Sequence, residues 1–177
     1  MNYRRSLLLM AFMAVSPVSA IDEAIPLSKV VEAFHQGDLE QAQKLAKLHL
    51  TYESRSVDAK LVAARVSVAR RDYAAAVPLL RANVEESPRD FRSWHLLGEC
   101  LARLGKIEEG VKCLRKALEL NPYNGASVLW LAKTTADKNA ETALLMKVLV
   151  MEERDSSAAK EALRILRSRK KEKQPRR

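Results

Sequence analysis

The residues able to do chemistry in this chain are few and dispersed. Cys100 and Cys113 fall on the two helices of one predicted hairpin. They read as two small buried hydrophobes. A bridge in an oxidising compartment stays open to them only if their Cα atoms come within about 7 Å. There is no third Cys and no close His to complete the roughly four ligands of a zinc site. His35, His49 and His95 are scattered, and none has a nucleophile paired with it. Glu85-Glu86, Glu108-Glu109 and Glu152-Glu153 are sequence neighbours, so on a helix they diverge by about 100°. They belong to solvated helix faces rather than to an acid–base pair. No glycine-rich phosphate loop occurs. The reading is a chain that is not an enzyme and uses no cofactor or metal.

The charge is as uneven as the chemistry is sparse. The net charge is +9 over 177 residues. Arg4 and Arg5 carry two of those charges near the start. Residues 164–177 hold eight basic side chains against Glu172, a surplus of seven. The intervening body, from Ile21 to Leu163, is therefore neutral. A basic tail without interleaved aromatic residues offers no base stacking, so nucleic acid is not an expected partner. Three readings stay open for such a tail: anionic lipid, at about 1 kcal/mol per basic residue near a surface, another polyanion, or a solubilising frayed end.

Met1–Ala20 has the build of a secretory signal peptide. Arg4-Arg5 precede an apolar run, Leu7–Val15, too short for the roughly 20 residues of a membrane span. Pro17 interrupts it, and Val18-Ser19-Ala20 supply small residues for cleavage after Ala20. The expectation is an exported protein, in the simplest case a periplasmic one.

The elements that must position everything else are helices. In Phe91–Asn124, Trp94, Leu97, Gly98 and Leu101 form one apolar stripe at helical spacing. Gly105 ends that helix where a left-handed residue is needed. Gly110, Leu114 and Ala117 make a second stripe, and Asn121-Pro122 stops it. Stepping back by 34 residues repeats the marks. The turn position reads Gly37, Arg71, Gly105. The small residue of the second helix reads Ala42, Ala76, Gly110. The closing position reads Ser54, Pro88, Pro122. Lys60 takes the place of the tryptophan in one repeat, and Asn83 is the one polar residue expected at a helix crossing, as a satisfied amide. Asn139 falls at the fourth turn position and is expected to adopt the same left-handed geometry. The second helix of that fourth unit is expected over about 140–154.

This pattern resembles the tetratricopeptide repeat (TPR), with W-x₂-L-G-x₂-Y, then A-x₃-F, then a closing Pro. Trp94, Leu97, Gly98, Ala117 and Pro122 match it outright. Leu101, Gly110 and Leu114 stand in for Tyr, Ala and Phe. The resemblance implies an all-α, right-handed superhelical α-solenoid. About four TPR helix pairs would be followed by a C-terminal capping helix. The implied organisation is a signal peptide over 1–20 and a TPR domain over 21–169. The repeats would be at 23–56, 57–90, 91–124 and 125–157, the cap at 157–169, and a basic disordered tail at 170–177.

The resemblance also implies where a ligand would lie, in a concave groove lined by the first helix of each repeat. Transferred to this chain, the groove positions are Leu27, Val31, Phe34, Leu61, Arg65, Val68, Arg92, His95, Glu99, Arg103, Leu129 and Lys133, with Asp137 at the far end. The N-terminal half is apolar and the C-terminal half charged, which suits an amphipathic helix or an extended peptide with an acidic end. The implied function is an exported adaptor or assembly factor that docks a protein partner. The alternative is a peripheral membrane scaffold targeted by its basic tail.

Overall fold

The computed structural model describes residues 25–172, with side chains through Lys170. The leader over 1–20 and the end of the tail from 173 lie outside the described residues. Among the described residues there are helices and no strand: α1 (Leu27–His35), α2 (Leu39–Tyr52), α3 (Val57–Ala69), α4 (Tyr73–Glu86), α5 (Phe91–Arg103), α6 (Ile107–Leu120), α7 (Gly125–Thr134), α8 (Lys138–Met151) and α9 (Ser157–Glu172). None of them is long and apolar enough to cross a membrane.

Short polar residues start most of these helices. Asp38, Ser56, Asp72, Asp90, Asn124 and Asp137 each accept a hydrogen bond from a backbone N–H in the first turn that follows. Ser156 does the same for α9, from the Ala159 N–H at 3.1 Å. Such caps satisfy donors that have no partner inside the helix. The turns inside the first three hairpins are equally local. Gly37, Arg71 and Gly105 take φ of 80°, 63° and 79°. The next residue in each case, Asp38, Asp72 or Lys106, donates its N–H back into the preceding helix at 2.8–3.0 Å. Arg71 thus holds a backbone conformation that glycine adopts freely and other residues rarely do.

The fourth hairpin departs from the expectation. Asn139 lies inside α8 and has no left-handed backbone. α7 ends at Thr134, Thr135 is extended, and Asp137 caps α8 through the Asn139 N–H. α8 accordingly runs from Lys138 to Met151, earlier than the span expected for it. At the other end α9 continues to Glu172, three residues past the expected end of the cap.

Burial is distributed in three blocks along the chain. The first joins Val30, Ala33, Ala42 and Ala46 to Ala63 and Val66. The second joins Leu61, Ala64, Ala76, Leu80 and Val84 to Leu97, Cys100 and Leu101. The third joins Val128, Leu129, Ala132, Leu145 and Val148 to Ala158 and Ala162 of α9. Each block spans neighbouring hairpins, so no hairpin buries its own apolar face alone. Trp94 packs half-buried on the second block, and its Nε1–H donates to the Pro88 carbonyl at 2.8 Å. Lys60, in the corresponding slot one repeat earlier, is buried with its Nζ 2.7 Å from Glu86. Asn83 is fully buried, and its amide donates to the Val57 carbonyl at 2.8 Å and to Ser93 Oγ at 3.3 Å. Its Oδ1 meets no donor among the described residues, so the expected full satisfaction is reached on the NH₂ side only.

The α5–α6 crossing is set by two glycines. A Cβ on Gly110 would lie 2.9 Å from the Gly98 carbonyl oxygen and 3.1 Å from the Ala102 nitrogen. Both are backbone atoms that cannot rotate away. Gly110→Ala is therefore expected to lower stability by about 1–2 kcal/mol, the overpacking cost outweighing the helix propensity gained. The repeat pattern itself prefers alanine there, so a rise in the urea midpoint would show that the two helices separate freely.

Candidate functional site

The first helix of every hairpin contacts the first helix of the next, and α9 closes the row against α7. The residues expected to line this face come from α1, α3, α5 and α7. In the N-terminal half Leu27, Val31, Phe34 and Val68 are half-buried. The Arg65 guanidinium stands over the Phe34 ring, 5.6 Å from its centre. Two positions must be corrected. Leu61 is 6% exposed and Leu129 7% exposed, and both belong to the core blocks. An aliphatic side chain there gains more from packing between hairpins than from facing a groove. Asp137 is likewise occupied in capping α8.

In the C-terminal half the structure brings the charged positions together. Arg92 of α5 donates to Asp90 at 2.8 Å and reaches Asp58 of α3 at 3.3 Å. Burial raises the Asp90 pKa, but its hydrogen bonds from Arg92 and Ser93 outweigh this and leave it lowered. His95 Nδ1 lies 2.9 Å from Ser127 Oγ of α7, and its side chain is 17% exposed. Burial pushes the His95 pKa down to about 4, so the ring is neutral at pH 7. One turn on, burial pushes Glu99 up, partly opposed by Arg103, Lys133 and a hydrogen bond from Trp130. Glu99 holds Arg103 at 3.4 Å.

Arg103 is the centre of the cluster. Its guanidinium lies 5.2 Å from the Tyr73 ring centre and 4.9 Å from that of Trp130. Lys133 stands 4.8 Å from the same indole, and its Nζ is 3.1 Å from Glu161 of α9. Glu161 also takes two hydrogen bonds from Arg164, at 2.7 and 2.9 Å, which together with Lys133 hold its pKa at about 2 against the opposing effect of burial. Cations stacked on aromatic faces and tied to carboxylates keep a fixed orientation.

A family model for anaphase-promoting complex, cyclosome, subunit 3 matches residues 35–117, just under half of the chain. The structure of TTC0263, a thermophilic TPR protein of Thermus thermophilus, superposes with a TM-score of 0.68 at 21% identity, covering 80% of this chain and 81% of that one. The structure of YrrB, described as a TPR protein with an unusual peptide-binding site, gives 0.66 at 18% identity, covering 78% and 72%. MamA from Desulfovibrio magneticus RS-1 gives 0.64 at 22%, covering 73% and 75%. The chain is a tetratricopeptide-repeat protein by fold. None of the curated proteins matches it.

Within this TPR frame, sequence reasoning missed Trp130, Tyr73 and Glu161. Trp130 sits two residues past Val128, the tryptophan slot of the fourth TPR, with Arg103 and Lys133 over its ring. Its signal was a second Trp in a chain with only 5% aromatic residues. Tyr73 opens a second helix and Glu161 belongs to the cap, so neither falls in the first-helix pattern. Cys100 and Cys113 are free thiols, and burial pushes the Cys100 pKa up to about 12, which leaves it protonated and unreactive.

Proposed function

We propose that this chain is a protein–protein interaction module, an exported TPR adaptor or assembly factor that holds a partner's peptide or helix against the face of its first helices. The observation that carries this reading is the row of cations on that face: Arg65 on α3, Arg92 and Arg103 on α5, and Lys133 on α7. Arg65 stands over the Phe34 ring, and Val31 and Val68 are half-buried on α1 and α3. A segment with one aliphatic side and an acidic end matches both parts. The similarity to YrrB, whose description names a peptide-binding site, supports the same reading. Export rests on the composition of Met1–Ala20.

The test is affinity capture from an envelope extract of the source cells. The bait is residues 21–177, compared with Arg65→Glu/Arg103→Glu checked for unchanged helicity. Leu61 is unsuitable as a probe because it is buried. A protein retained by the wild type and lost by the variant is expected. Equal retention by both would remove the groove from the reading. The N-terminal sequence of the exported protein should begin at Ile21, and an intact Met1 in that fraction would overturn the cleavage assignment.

A further inference from the structure

The outer side of the α8–α9 junction carries a second surface, separate from the groove. A pocket of about 500 Å³ opens there, with Leu149, Ala159 and Leu163 as its apolar lining and Arg154 and Arg167 as its cations. The neighbouring cations are already paired: Lys160 with Asp155, Arg164 with Glu161, and Arg169 with Glu141. Arg154 and Arg167 have no carboxylate partner among the described residues. Two unpaired guanidiniums beside an apolar pocket are an arrangement for an anion with a hydrocarbon part.

The surroundings extend the same chemistry. On α8, Met146 and Val150 follow Leu149 round the helix by about 60° and 100°. Met146 is 58% exposed and Val150 87% exposed, the two most exposed large aliphatic side chains of the described residues. On α9, the outward side is basic, and a second opening there is lined by Lys160, Arg164, Arg167 and Ser168. Exposed aliphatics bordered by Lys and Arg are the composition of a surface that sits at a lipid interface.

We propose that the α8–α9 end docks on an anionic phospholipid bilayer. Lipid phosphates would be held by Arg154 and Arg167, with Met146 and Val150 against the acyl boundary. The charge is complementary along α9, whose residues include six basic ones against Glu161 and Glu172. An acidic protein segment matches the charge equally well, but Met146 and Val150 protrude beside the cations at 58% and 87% exposure, as side chains at a lipid interface do, which is why lipid is preferred.

The experiment is co-sedimentation of residues 21–177, which hold every described element, with vesicles. One set is equimolar phosphatidylglycerol and phosphatidylcholine; the other is pure phosphatidylcholine. Binding is expected to the anionic vesicles only, and to weaken as salt rises. Arg154→Glu/Arg167→Glu should lower that binding by about thirtyfold or more. Both side chains lack partners among the described residues, so thermal unfolding should be unchanged. Val150→Asp should lower binding without touching a cation. A third variant, Lys173→Gln/Arg176→Gln/Arg177→Gln, reads the tail separately, and in that background Arg154→Glu/Arg167→Glu should still produce its own drop in binding. Several results would overturn the proposal. These are equal binding by the arginine variant and the wild type, binding to both vesicle types alike, or binding of poly-glutamate in place of vesicles. None of these outcomes bears on the groove cations Arg65, Arg92, Arg103 and Lys133, which lie on α3, α5 and α7.

Discussion

Trp94→Ala is expected to lower the stability of this protein by about 3 kcal/mol. The indole packs on the block formed by Leu80, Val84, Leu97 and Leu101, and it ties the α5 start to Pro88 through its N–H. It is half-buried, which places the loss at the low end of the range for deleting a large aromatic side chain. Against the roughly 5–15 kcal/mol that holds a domain together, this is a large share. The third repeat is also the centre of the stack, so its loss removes the interfaces on both sides. Urea unfolding of Trp94→Ala and Trp94→Phe checks the argument. The phenylalanine variant keeps most of the packing and loses one hydrogen bond, for about 1 kcal/mol. A loss under about 1 kcal/mol in the alanine variant would place Trp94 outside the core.

The second large effect is a dependence on pH through His95. Its folded pKa of about 4 lies below the 6.5 of the unfolded chain. Above pH 6.5 the ring is neutral in both states and contributes no pH dependence. Between pH 6.5 and about 4 the unfolded chain takes up a proton that the buried ring refuses, so stability is lost as pH falls. The full loss is about 3 kcal/mol. Glu99, one turn away, works against this. Its raised pKa favours the protonated form in the fold, so its own cost is relieved on acidification. Glu161 adds to the loss further down, between pH 4.5 and about 2. The measurement is the urea unfolding free energy at about pH 7 and about pH 4.5 for the wild type and His95→Gln. Glutamine is expected to remove most of the difference. An equal loss in the variant would assign the acid sensitivity to the carboxylates instead.

These two residues differ in how legible they were. Trp94 announced itself through spacing: a large aromatic residue three before Leu97, four before Gly98 and seven before Leu101. His95 was readable as a groove position, but not as a buried neutral ring, because its partner Ser127 lies 32 residues away. The same distance in sequence hid the Tyr73–Arg103–Trp130 stack and the Lys133–Glu161 pair, which join residues on different hairpins.

What the sequence determined by itself was most of what is decided within one hairpin. Caps such as Asp38 and Ser56 act on the turn that follows them. The left-handed turn at Arg71 was legible from register alone, although its residue type argues against it. Even there local reading has a limit, since Asn139 stands in register and is helical, α7 ending with an extended Thr135 instead of a left-handed turn. Only the tertiary structure decided what each member of one repeat position packs against. Leu61 and Leu129 share the register of His95, yet their side chains join the core while His95 bonds across to α7. Adjacent hairpins stack through a continuous apolar core, so the burial of each first-helix residue depends on the neighbouring hairpin's side chains, and no periodicity within a single hairpin encodes them.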